Sequence, residues 1–514
     1  MARLNEYSSY KEVIKKFKWN MLWDLFDGNE KSLNIAHECI DRHVDKGTAI
    51  RIKFADGRTE KYTFKELSEW TSRFANFLKN NGVDAGDRVG VMLEPSLEFY
   101  MCLFGAIKRG AIAIPLFTLF GSDALEKRVN DCKPKVLVIK PEKAYLAKQF
   151  SGLQVYIANP DFLVNVKKES FLYEPQTSSN DPAIFQYTSG TTREFPEAVK
   201  HTHRSVVTLI LAALFGLGLR DGDRYFCPSS PAWGHGLWHG SISPWCLGIS
   251  AGTYSGKFDE KRILEALSEF KITNFAAAAT VYRMLKNSGL TDQYEYKIEK
   301  LSFTGEPIDS ATYDFIEQKF GVPVCSMYGT TETGVILANY PGFKDFVMKP
   351  GCLGKPVPGW KVAIIDKEEN EVPVGTVGEI ALKRQRKWFY LKDAGFMDKD
   401  GYFWYKGRSD DVIISAGWTI SALEVEDALL KHQDIQEAAV IGVPDEARGL
   451  VVKAYLISKR NGQGFEQELK EFVKKRLSAH EFPRVIEFMD ELPKTPAGKV
   501  NRNALKADYG AGKD

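Results

Sequence analysis

The sequence has no excess of charge of either sign. Across 514 residues, 69 lysines and arginines stand against 67 aspartates and glutamates, so the formal net charge is only +2. This balance gives no general attraction to nucleic acid or to an anionic membrane surface. Anion binding must therefore come from local groups of residues, and we expect no nucleic-acid partner.

The cysteines lack the arrangements that usually give them a function. None forms a CxxC pair, and their spacing matches no metal-ligand pattern. An odd number of scattered cysteines favours buried thiols in a reducing compartment over a disulfide framework. The seven are Cys39, Cys102, Cys132, Cys227, Cys246, Cys325 and Cys352.

A long hydrophobic run is also missing. The longest, residues 206–219, is interrupted by Thr208 and Gly216 and is too short to cross a bilayer, which predicts a buried helix. The first seven residues are polar and lack the apolar core of a signal peptide. We therefore expect a cytoplasmic protein without stable membrane insertion.

What the sequence does contain is a repeated alternation of strands and helices. Residues 48–54 alternate in polarity and predict a strand, and Thr63 followed by Glu66 predicts the start of a helix that runs to Asn80. Further strands and helices follow, and the same alternation of strands and helices returns after Ser189. This order is typical of parallel, doubly wound sheets.

The sequence pattern changes near Gly354, where short strands and Gly/Pro turns replace the alternation of strands and helices. We predict an α/β protein whose large N-terminal domain, residues 1–409, contains two doubly wound sheets and a small β-rich unit. A small mobile α+β C-terminal domain, residues 410–514, would follow, with a hinge at Asp410. No internal repeat or low-complexity tract occurs.

Three separated motifs suggest the chemistry. Tyr187-Thr-Ser-Gly-Thr-Thr192 is rich in hydroxyl groups and glycine, so its backbone N–H groups and short side chains can surround phosphate oxygens. Tyr328-Gly-Thr-Thr-Glu-Thr333 offers a carboxylate that can hold the Mg²⁺ accompanying ATP. Pro493-Lys-Thr-Pro-Ala-Gly-Lys499 places a cation on a glycine turn.

Each motif alone is most often a plain loop, a β–α turn or a solvated charge. Together and in this order, they resemble the adenylate-forming superfamily: acyl-CoA synthetases, aryl-CoA ligases, luciferases and peptide-synthetase adenylation domains. The resemblance covers about residues 30–508 and is closest to acetyl- and medium-chain acyl-CoA synthetases. It implies ATP, Mg²⁺ and coenzyme A as cofactors and a small-molecule carboxylic acid as the substrate.

The resemblance implies a role for each residue that matches a motif. Lys499, Glu332 and Thr331 would be catalytic, and Glu332 would also hold the metal. The contacts to phosphate and adenine would come from Thr188, Ser189, Gly190, Thr191, Thr192, Gly305, Glu306, Pro307, Tyr328, Gly329 and Thr330.

Four residues after the second motif also match. Asp393 would accept both ribose hydroxyls, because an ionised carboxylate is an acceptor with two oxygens. Arg408 would lie on the ribose and phosphate side, and Asp410 would be the hinge, with a surface salt bridge as the alternative for both. Gly417 would let pantetheine pass close to the backbone.

The sequence departs from the family pattern at several positions. Glu197 stands where a phosphate-reaching lysine is expected, so that role does not carry over, and Arg193 or Lys200 is a candidate substitute cation. Other departures are Leu391 and Lys392 before Asp393, and Thr419 at a position that is often basic.

Residues 227–240 resemble the acyl-pocket loop of the family. By this resemblance, Trp233, Gly234 and His235 would line the acid pocket, with core packing as the alternative for the tryptophan. His235 and His239 are either polar contacts for a substituted acid or histidines satisfied within the fold. At Gly329, acetate-specific relatives carry a bulky tryptophan, so the glycine predicts an acid larger than acetate, such as a medium-chain, branched or aromatic acid.

The implied reaction has two halves: formation of acyl-AMP and pyrophosphate, then rotation of the C-terminal domain and attack by the CoA thiolate. Two alternatives remain open. One is an adenylation enzyme that loads a carrier-protein phosphopantetheine, and the other is a catalytically impaired adenylate-binding protein. We expect a monomer or a homodimer.

Overall fold

The computed structural model describes residues 3–187, 197–330, 333–408, 413–415, 418–445, 449–477, 481–495 and 498–511. The first strands of the chain are β1 (Thr48–Phe54), β2 (Thr59–Thr63), β3 (Arg88–Met92), β4 (Ile112–Pro115), β5 (Val136–Ile139), β6 (Gln154–Ile157), β7 (Pro182–Tyr187) and β8 (Ala198–Thr202). One sheet has the order β6-β5-β3-β4-β7-β8, and it is parallel except for β8.

A second sheet uses strands from later in the chain together with β1 and β2. Its further strands are β9 (Tyr225–Phe226), β10 (Ala251–Ser255), β11 (Asn274–Ala278), β12 (Lys300–Thr304), β13 (Val324–Thr330), β14 (Gly334–Ala338) and β15 (Lys355–Pro356). The order is β15-β14-β13-β12-β11-β9-β10-β1-β2, parallel from β13 to β1 and antiparallel at both edges. The prediction of two doubly wound sheets is confirmed.

Two smaller sheets complete the fold. The predicted β-rich unit is an antiparallel sheet of β16 (Val362–Ile365), β17 (Gly378–Arg384), β18 (Lys387–Met397) and β19 (Phe403–Arg408). The C-terminal module contains β20 (Ile413–Ser415), β21 (Trp418–Ile420), β22 (Ile435–Asp445), β23 (Gly449–Ser458) and β24 (Val485–Phe488). The predicted domain boundary, between residues 409 and 410, lies outside the described residues.

Helices cover the sheets. The α-helices are α1 (Tyr10–Lys16), α2 (Ile35–Cys39), α3 (Phe64–Asn80), α4 (Leu97–Arg109), α5 (Ser122–Cys132), α6 (Pro160–Lys167), α7 (Ser205–Leu211), α8 (Ser243–Cys246), α9 (Glu260–Glu269), α10 (Ala279–Ser288), α11 (Ser310–Phe320), α12 (Ala422–Leu430), α13 (Gln463–Arg476) and α14 (Arg502–Ala511). Short 3₁₀ helices span Leu4–Glu6, Trp19–Leu25, Asp41–His43, Pro141–Gln149 and Thr291–Gln293, and π-helical segments span Ala212–Gly216 and His235–Ile242.

Helix α3 shows how local sequence sets an element. The Thr63 hydroxyl accepts a hydrogen bond from the Glu66 N–H at 3.1 Å, and the Glu66 carboxylate accepts one from the Thr63 N–H at 2.8 Å. This reciprocal capping satisfies two N–H groups that a helix start leaves unpaired. The predicted start and end of this helix are confirmed.

The hydrophobic run at residues 206–219 is buried, as predicted, except at Thr208 and Leu209, and it is not a single regular helix. Helix α7 ends at Leu211 and the chain continues in a π-helical turn through Gly216. A β-carbon at Gly216 would lie 2.7 Å from the sulfur of Met327 on β13. Within the described ranges, no helix combines the length and the apolar content needed to cross a bilayer.

The core between the large sheets is tightly connected. Trp245 on α8 is fully buried, its ring lies 5.1 Å from Tyr100 and 5.2 Å from Phe104, and its indole N–H donates to the carbonyl of Ala49 at 2.9 Å. All seven cysteines are buried as free thiols, which agrees with the prediction from their scatter. Burial raises the pKa of Cys227 to about 11 and that of Cys325 to about 12.

Candidate functional site

A cleft of about 1660 Å³ lies where the large sheet meets the C-terminal module. Strands β12 and β13 end at Thr304 and Thr330, and the loop of Gly305, Glu306 and Pro307 follows β12 directly. Residues of this loop, of β18 and β19, and of the turn before α14 line the cleft. Ligands in open α/β sheets bind beyond the carboxyl ends of parallel strands, so the topology itself favours this cleft as a site.

Gly305 lies between two side chains that the sequence analysis assigned to different functions. Its backbone has a φ of +96°, a conformation that favours glycine, and a β-carbon there would lie 3.1 Å from both Lys499 Cε and the Trp233 ring. Trp233 and Lys499 are each half-buried. Three candidate residues from distant parts of the chain therefore meet at one point.

Lys499 is presented by a short turn of the C-terminal module. The Thr495 N–H donates to the Lys499 carbonyl at 2.7 Å, and the Gly498 N–H donates to the Thr495 carbonyl at 2.8 Å. Burial lowers the pKa of the Lys499 ammonium below its ordinary value, while Glu306 and Asp393 act in the opposite direction. A desolvated cation in this position interacts strongly with an anion brought beside it.

The Thr280 hydroxyl joins this turn to the wall of the cleft. It donates to the Glu306 carboxylate and lies 3.4 Å from the Gly498 carbonyl. Arg283 Nη1 lies 3.9 Å from the same carboxylate, and Arg283 Nε donates to Asp309 at 3.2 Å. Glu306 is thus a fixed anion in the cleft wall, and Pro307 lines the cleft beside it.

Asp393 on β18 is buried and receives three donors. The Tyr328 hydroxyl donates to Oδ2 at 2.6 Å, while the Tyr405 hydroxyl, at 3.4 Å, and Arg408 Nη1, at 3.3 Å, donate to Oδ1. Burial raises the pKa of the Asp393 carboxyl, whereas the hydrogen bond from Tyr328 and the charge of Arg408 oppose the rise. The structure therefore brings Tyr328, Asp393 and Arg408 together at one side of the cleft.

Gly329 lies against the neighbouring strand rather than open space. A β-carbon at this position would lie 1.9 Å from the carbonyl oxygen of Gly334 on β14. The glycine is therefore required by the close approach of two backbones, which is a second reason for it besides the size of the acid. Thr330 lines the cleft, and its N–H donates to the Thr333 hydroxyl at 3.0 Å.

The three residues predicted to line an acid pocket all line the cleft: Trp233, Gly234 and His235. His235 Nδ1 lies 2.8 Å from the Ser229 hydroxyl, and its ring lies 5.3 Å from that of Trp233. His239 follows on the same π-helical segment and also lines the cleft. Segments with π-helical geometry are frequently found at functional sites.

Several predicted site residues lie outside the described residues. These are Thr188, Ser189, Gly190, Thr191, Thr192, Arg193, Thr331, Glu332, Asp410 and Gly417. Of the residues discussed as phosphate-side charges, Glu197 lines the cleft. Lys200 is exposed on β8 with its ammonium 5.4 Å from the Phe185 ring, and it is not among the cleft residues, so the geometry gives it no role as a substitute cation.

Sequence reasoning missed Tyr405, Thr280 and Arg283. Tyr405 reaches Asp393 only because β18 and β19 pair with an irregular register, which no local pattern indicates. Arg283 and Thr280 both lie on α10, where the sequence analysis identified no motif.

The C-terminal module is docked on α11 and β19 through polar contacts. The Ser310 N–H donates to Asp427 Oδ1 at 2.7 Å, and the Ser421 hydroxyl donates to the Lys406 carbonyl at 2.9 Å. The Lys406 ammonium also pairs with the Glu424 carboxylate. This docking holds Lys499 in the cleft.

Comparison with known proteins identifies the family of the chain. The family model described as "AMP-binding enzyme" matches residues 38–386, and that described as "AMP-binding enzyme C-terminal domain" matches residues 424–499. The acetyl-coenzyme A synthetase of Bacillus subtilis (strain 168) is 33% identical, covering 97% of this chain and 95% of that protein.

Two further relatives extend the comparison. The mitochondrial acyl-coenzyme A synthetase ACSM3 of Rattus norvegicus is 32% identical, covering 88% of this chain and 85% of that protein. The crystal structure of the anthranilate CoA ligase AuaEII in complex with anthranoyl-AMP superposes with a TM-score of 0.87 at 28% identity, covering 96% of this chain and all of that one.

Proposed function

Because the chain belongs to the AMP-binding enzyme family and is an AMP-forming acid–CoA ligase, we propose that the cleft described above joins ATP to a carboxylic acid larger than acetate. The observation that carries this proposal is the meeting of Lys499, Gly305 and Trp233 at one point of the cleft. This meeting supports the proposal because it combines a cation, a stretch of backbone without a side chain and an aromatic ring in one part of the cleft.

In the first half-reaction, the acid carboxylate attacks the α-phosphorus of ATP, and acyl-AMP and pyrophosphate form. Negative charge that develops on the phosphate oxygens would be balanced by the Lys499 ammonium, whose burial strengthens the interaction. Thr331 and the loop of residues 188–192 would contribute further hydrogen bonds to the phosphates. These positions are proposed from the motifs alone.

The nucleoside would bind beside Asp393. Its carboxylate is held by Tyr328, Tyr405 and Arg408, so its orientation is fixed before a ribose diol arrives. Tyr328 lines the cleft next to this carboxylate and would stack on adenine, while Gly305, Glu306 and Pro307, which also line the cleft, would form the facing wall.

Glu332 is the residue proposed to hold Mg²⁺, which supplies positive charge beside the phosphates when bound. In the described part of the chain, no group of three or more His, Cys, Asp or Glu side chains is arranged to hold a metal ion. A metal that travels with ATP needs only one or two protein carboxylates because phosphate oxygens and water complete its shell. A single carboxylate following β13 fits that requirement.

In the second half-reaction, the C-terminal module would rotate about Asp410, withdraw Lys499 and present the Gly417 face to the acyl-AMP. The CoA thiolate would then attack the acyl carbonyl and AMP would leave. This movement would break the hydrogen bonds that Thr280, Ser310 and Ser421 make across the interface and the ion pair of Lys406 with Glu424. Alternation of this kind lets one cleft serve two transition states.

The proposed size of the acid rests on Gly329. No side chain projects from this position into the cleft, so the pocket beyond Trp233 is not closed by an indole as in acetate-specific relatives. The close approach of Gly334 supplies a separate reason for the glycine. The size of the acid is therefore tested directly, by comparing acids of different lengths.

A pyrophosphate-release assay over straight, branched and aromatic acids, with and without CoA, tests the proposal. We expect release with acids of four or more carbons, stimulated by CoA and accompanied by AMP and thioester. Release that is highest with acetate would refute the proposed size, and absence of release with every acid would refute the proposed function.

A further inference from the structure

Three glycines on consecutive strands form a strip of the cleft wall. Gly305 directly follows β12, Gly329 lies on β13 and Gly334 begins β14, and all three line the cleft. Because β12 pairs with β13 and β13 pairs with β14, the three positions follow one another across the sheet. Neighbouring strands are about 5 Å apart, so the strip crosses roughly 10 Å of the wall without a side chain.

One end of this glycine strip is the place where the acid would be activated. Gly305 lies beside both Lys499 and Trp233, since a β-carbon there would be 3.1 Å from each of them. The strip leads from this point past Gly329 to Gly334. An acid whose carboxylate lies near Lys499 would therefore extend its carbon chain along the strip.

Leu209 covers the other end of the glycine strip. A β-carbon at Gly334 would lie 3.0 Å from Leu209 Cδ2, so this methyl group lies directly over the glycine. The contact is part of the packing of α7 on β14. Gly334 also has a φ of +67°, a conformation that favours glycine. The side chain of Leu209 thus lies where the strip ends.

The side chain of Leu209 is open to the cleft. It is half-buried and lines the cleft, whereas the next residues on α7, Ile210 and Leu211, are buried and are not among the cleft residues. Its surface is therefore accessible from the cleft, and a carbon chain that extends along the glycine strip can contact it directly.

Two further apolar side chains line the cleft next to the glycine strip. Val335 pairs with Gly329 across the β13–β14 ladder, and Met327 precedes Gly329 by two residues on β13. Burial of a carbon chain against apolar side chains is favourable in proportion to the area removed from water. A longer acid therefore gains affinity with each added carbon until its end reaches Leu209.

We propose that Leu209 closes the acid pocket and sets the greatest length of acid that the cleft accepts. This inference rests on the proposed function, because it names a residue that determines specificity in the same adenylation reaction. An acid whose chain ends before Leu209 fits along the glycine strip. A longer acid must displace Leu209 against the packing of α7 on β14, and displacement of well-packed side chains is unfavourable.

The test is a profile of activity against the length of the acid. Pyrophosphate release is measured with the wild-type protein and straight-chain acids from acetate to hexadecanoate, and with benzoate and its 4-methyl, 4-ethyl and 4-propyl derivatives. We expect kcat/KM to rise to an optimum and then to fall by about tenfold or more within two further carbons. A profile without such a limit in each series that is used would overturn the inference.

Replacement of Leu209 should move this limit in both directions. Leu209→Ala shortens the side chain and should raise the kcat/KM of the acid two carbons longer than the wild-type optimum, relative to the optimum acid, by about tenfold. Leu209→Phe lengthens the side chain and should favour the acid two carbons shorter by a similar factor. The KM for ATP should stay unchanged in both variants. If one variant fails to fold, the other still decides.

Leu211 provides a matched control. It is the same residue type on the same helix, but it is buried and is not among the residues that line the cleft. Leu211→Ala should lower the thermal unfolding midpoint because it leaves a cavity in the core. The optimum chain length should remain that of the wild type.

The outcomes distinguish the two proposals. If the Leu209 variants keep the wild-type profile, or if Leu211→Ala shifts the profile as much as Leu209→Ala, the inference is overturned while the ligase function stands. If no acid in either series releases pyrophosphate, the proposed function fails and the inference fails with it.

Discussion

The ammonium of Lys499 lies 5.6 Å from the centre of the Trp233 ring, although the two residues belong to different parts of the fold. Between them is Gly305, which has no side chain to separate them. The lysine and the wall of the acid pocket therefore share one corner of the cleft. This relationship is the basis of the predictions on the first half-reaction.

Replacement of Lys499 by alanine should separate the two half-reactions. Acyl-AMP formation is expected to fall by about 100-fold or more because the cation beside the reacting phosphate is lost, whereas thioester formation from supplied acyl-AMP should persist. Pyrophosphate release and single-turnover thioester formation measure the two steps. Lys494→Ala, which removes a nearby lysine paired with Glu437 at 3.0 Å, is the control and should affect neither step. Equal loss of both halves in Lys499→Ala would contradict the assignment.

The pH dependence of adenylation should reflect the lowered pKa of Lys499. The protonated amine is the active form, so kcat/KM for ATP should decline as pH rises through a pKa below the ordinary lysine value of about 10.4. Lys499→Arg keeps the positive charge at every accessible pH, and its decline should therefore disappear or move to higher pH. An alkaline limb that is identical in both proteins would assign the titration to another group.

Loss of the Tyr328 hydroxyl should weaken nucleotide binding more than loss of the Tyr405 hydroxyl. Both groups donate to Asp393, at 2.6 Å and 3.4 Å respectively, and the shorter bond to a charged acceptor is the stronger one. Tyr328→Phe is expected to raise the KM for ATP by about tenfold, and Tyr405→Phe by about threefold or less. Titration with AMP by calorimetry provides the direct measurement, and a reversed order would show that the carboxylate is positioned by other contacts.

A β-carbon at Gly329 should destabilise the fold. Because it would lie 1.9 Å from the Gly334 carbonyl oxygen, Gly329→Ala must displace β14 or β13, at a cost of about 1–3 kcal/mol. The thermal unfolding midpoint should drop relative to Gly121→Ala, a glycine whose added β-carbon would meet nothing within 4 Å. Equal midpoints for the two variants would mean that the strands have room, and the glycine would then be explained by the acid alone.

The docked position of the C-terminal module should depend on Asp427. Asp427→Ala removes the acceptor of the Ser310 N–H and is expected to slow acyl-AMP formation by about two- to fivefold with no slowing of thioester formation. Lys431→Ala removes the ion pair that Asp427 makes within its own helix, at 3.0 Å, and keeps the contact to Ser310. The lysine variant should behave like the wild type, and matching defects in both would point to a loss of helix stability instead.

The regular parts of the fold could be predicted from local sequence. The capping pair at Thr63 and Glu66 and the alternation of strands and helices depend on neighbouring residues, and the structure confirms them. The π-helical geometry of residues 235–242 could not be predicted in this way, and its close approach at Gly236 to the Ser229 and Ser230 carbonyls is a contact that no periodic pattern indicates.

The candidate site was predictable only where a motif marked it. Lys499 and Gly305 are far apart in the chain, and only the resemblance to a family indicated that they meet. The donors around Asp393 include Tyr405, which depends on an irregular strand register, and the bonding of Glu306 depends on Thr280 from a neighbouring helix. Contacts of this kind are set by tertiary structure and leave no periodic signal.

The seven buried thiols all precede residue 353, so the C-terminal module has none. An alkylating reagent can reach them only when the packing of the larger part of the chain opens, and their burial also disfavours the reactive thiolate. The rate of thiol labelling under native conditions therefore reports how often that part of the fold opens. Rotation of the module that carries Lys499 would leave the labelling rate unchanged. The measurement therefore separates catalytic movement from unfolding without any engineered probe.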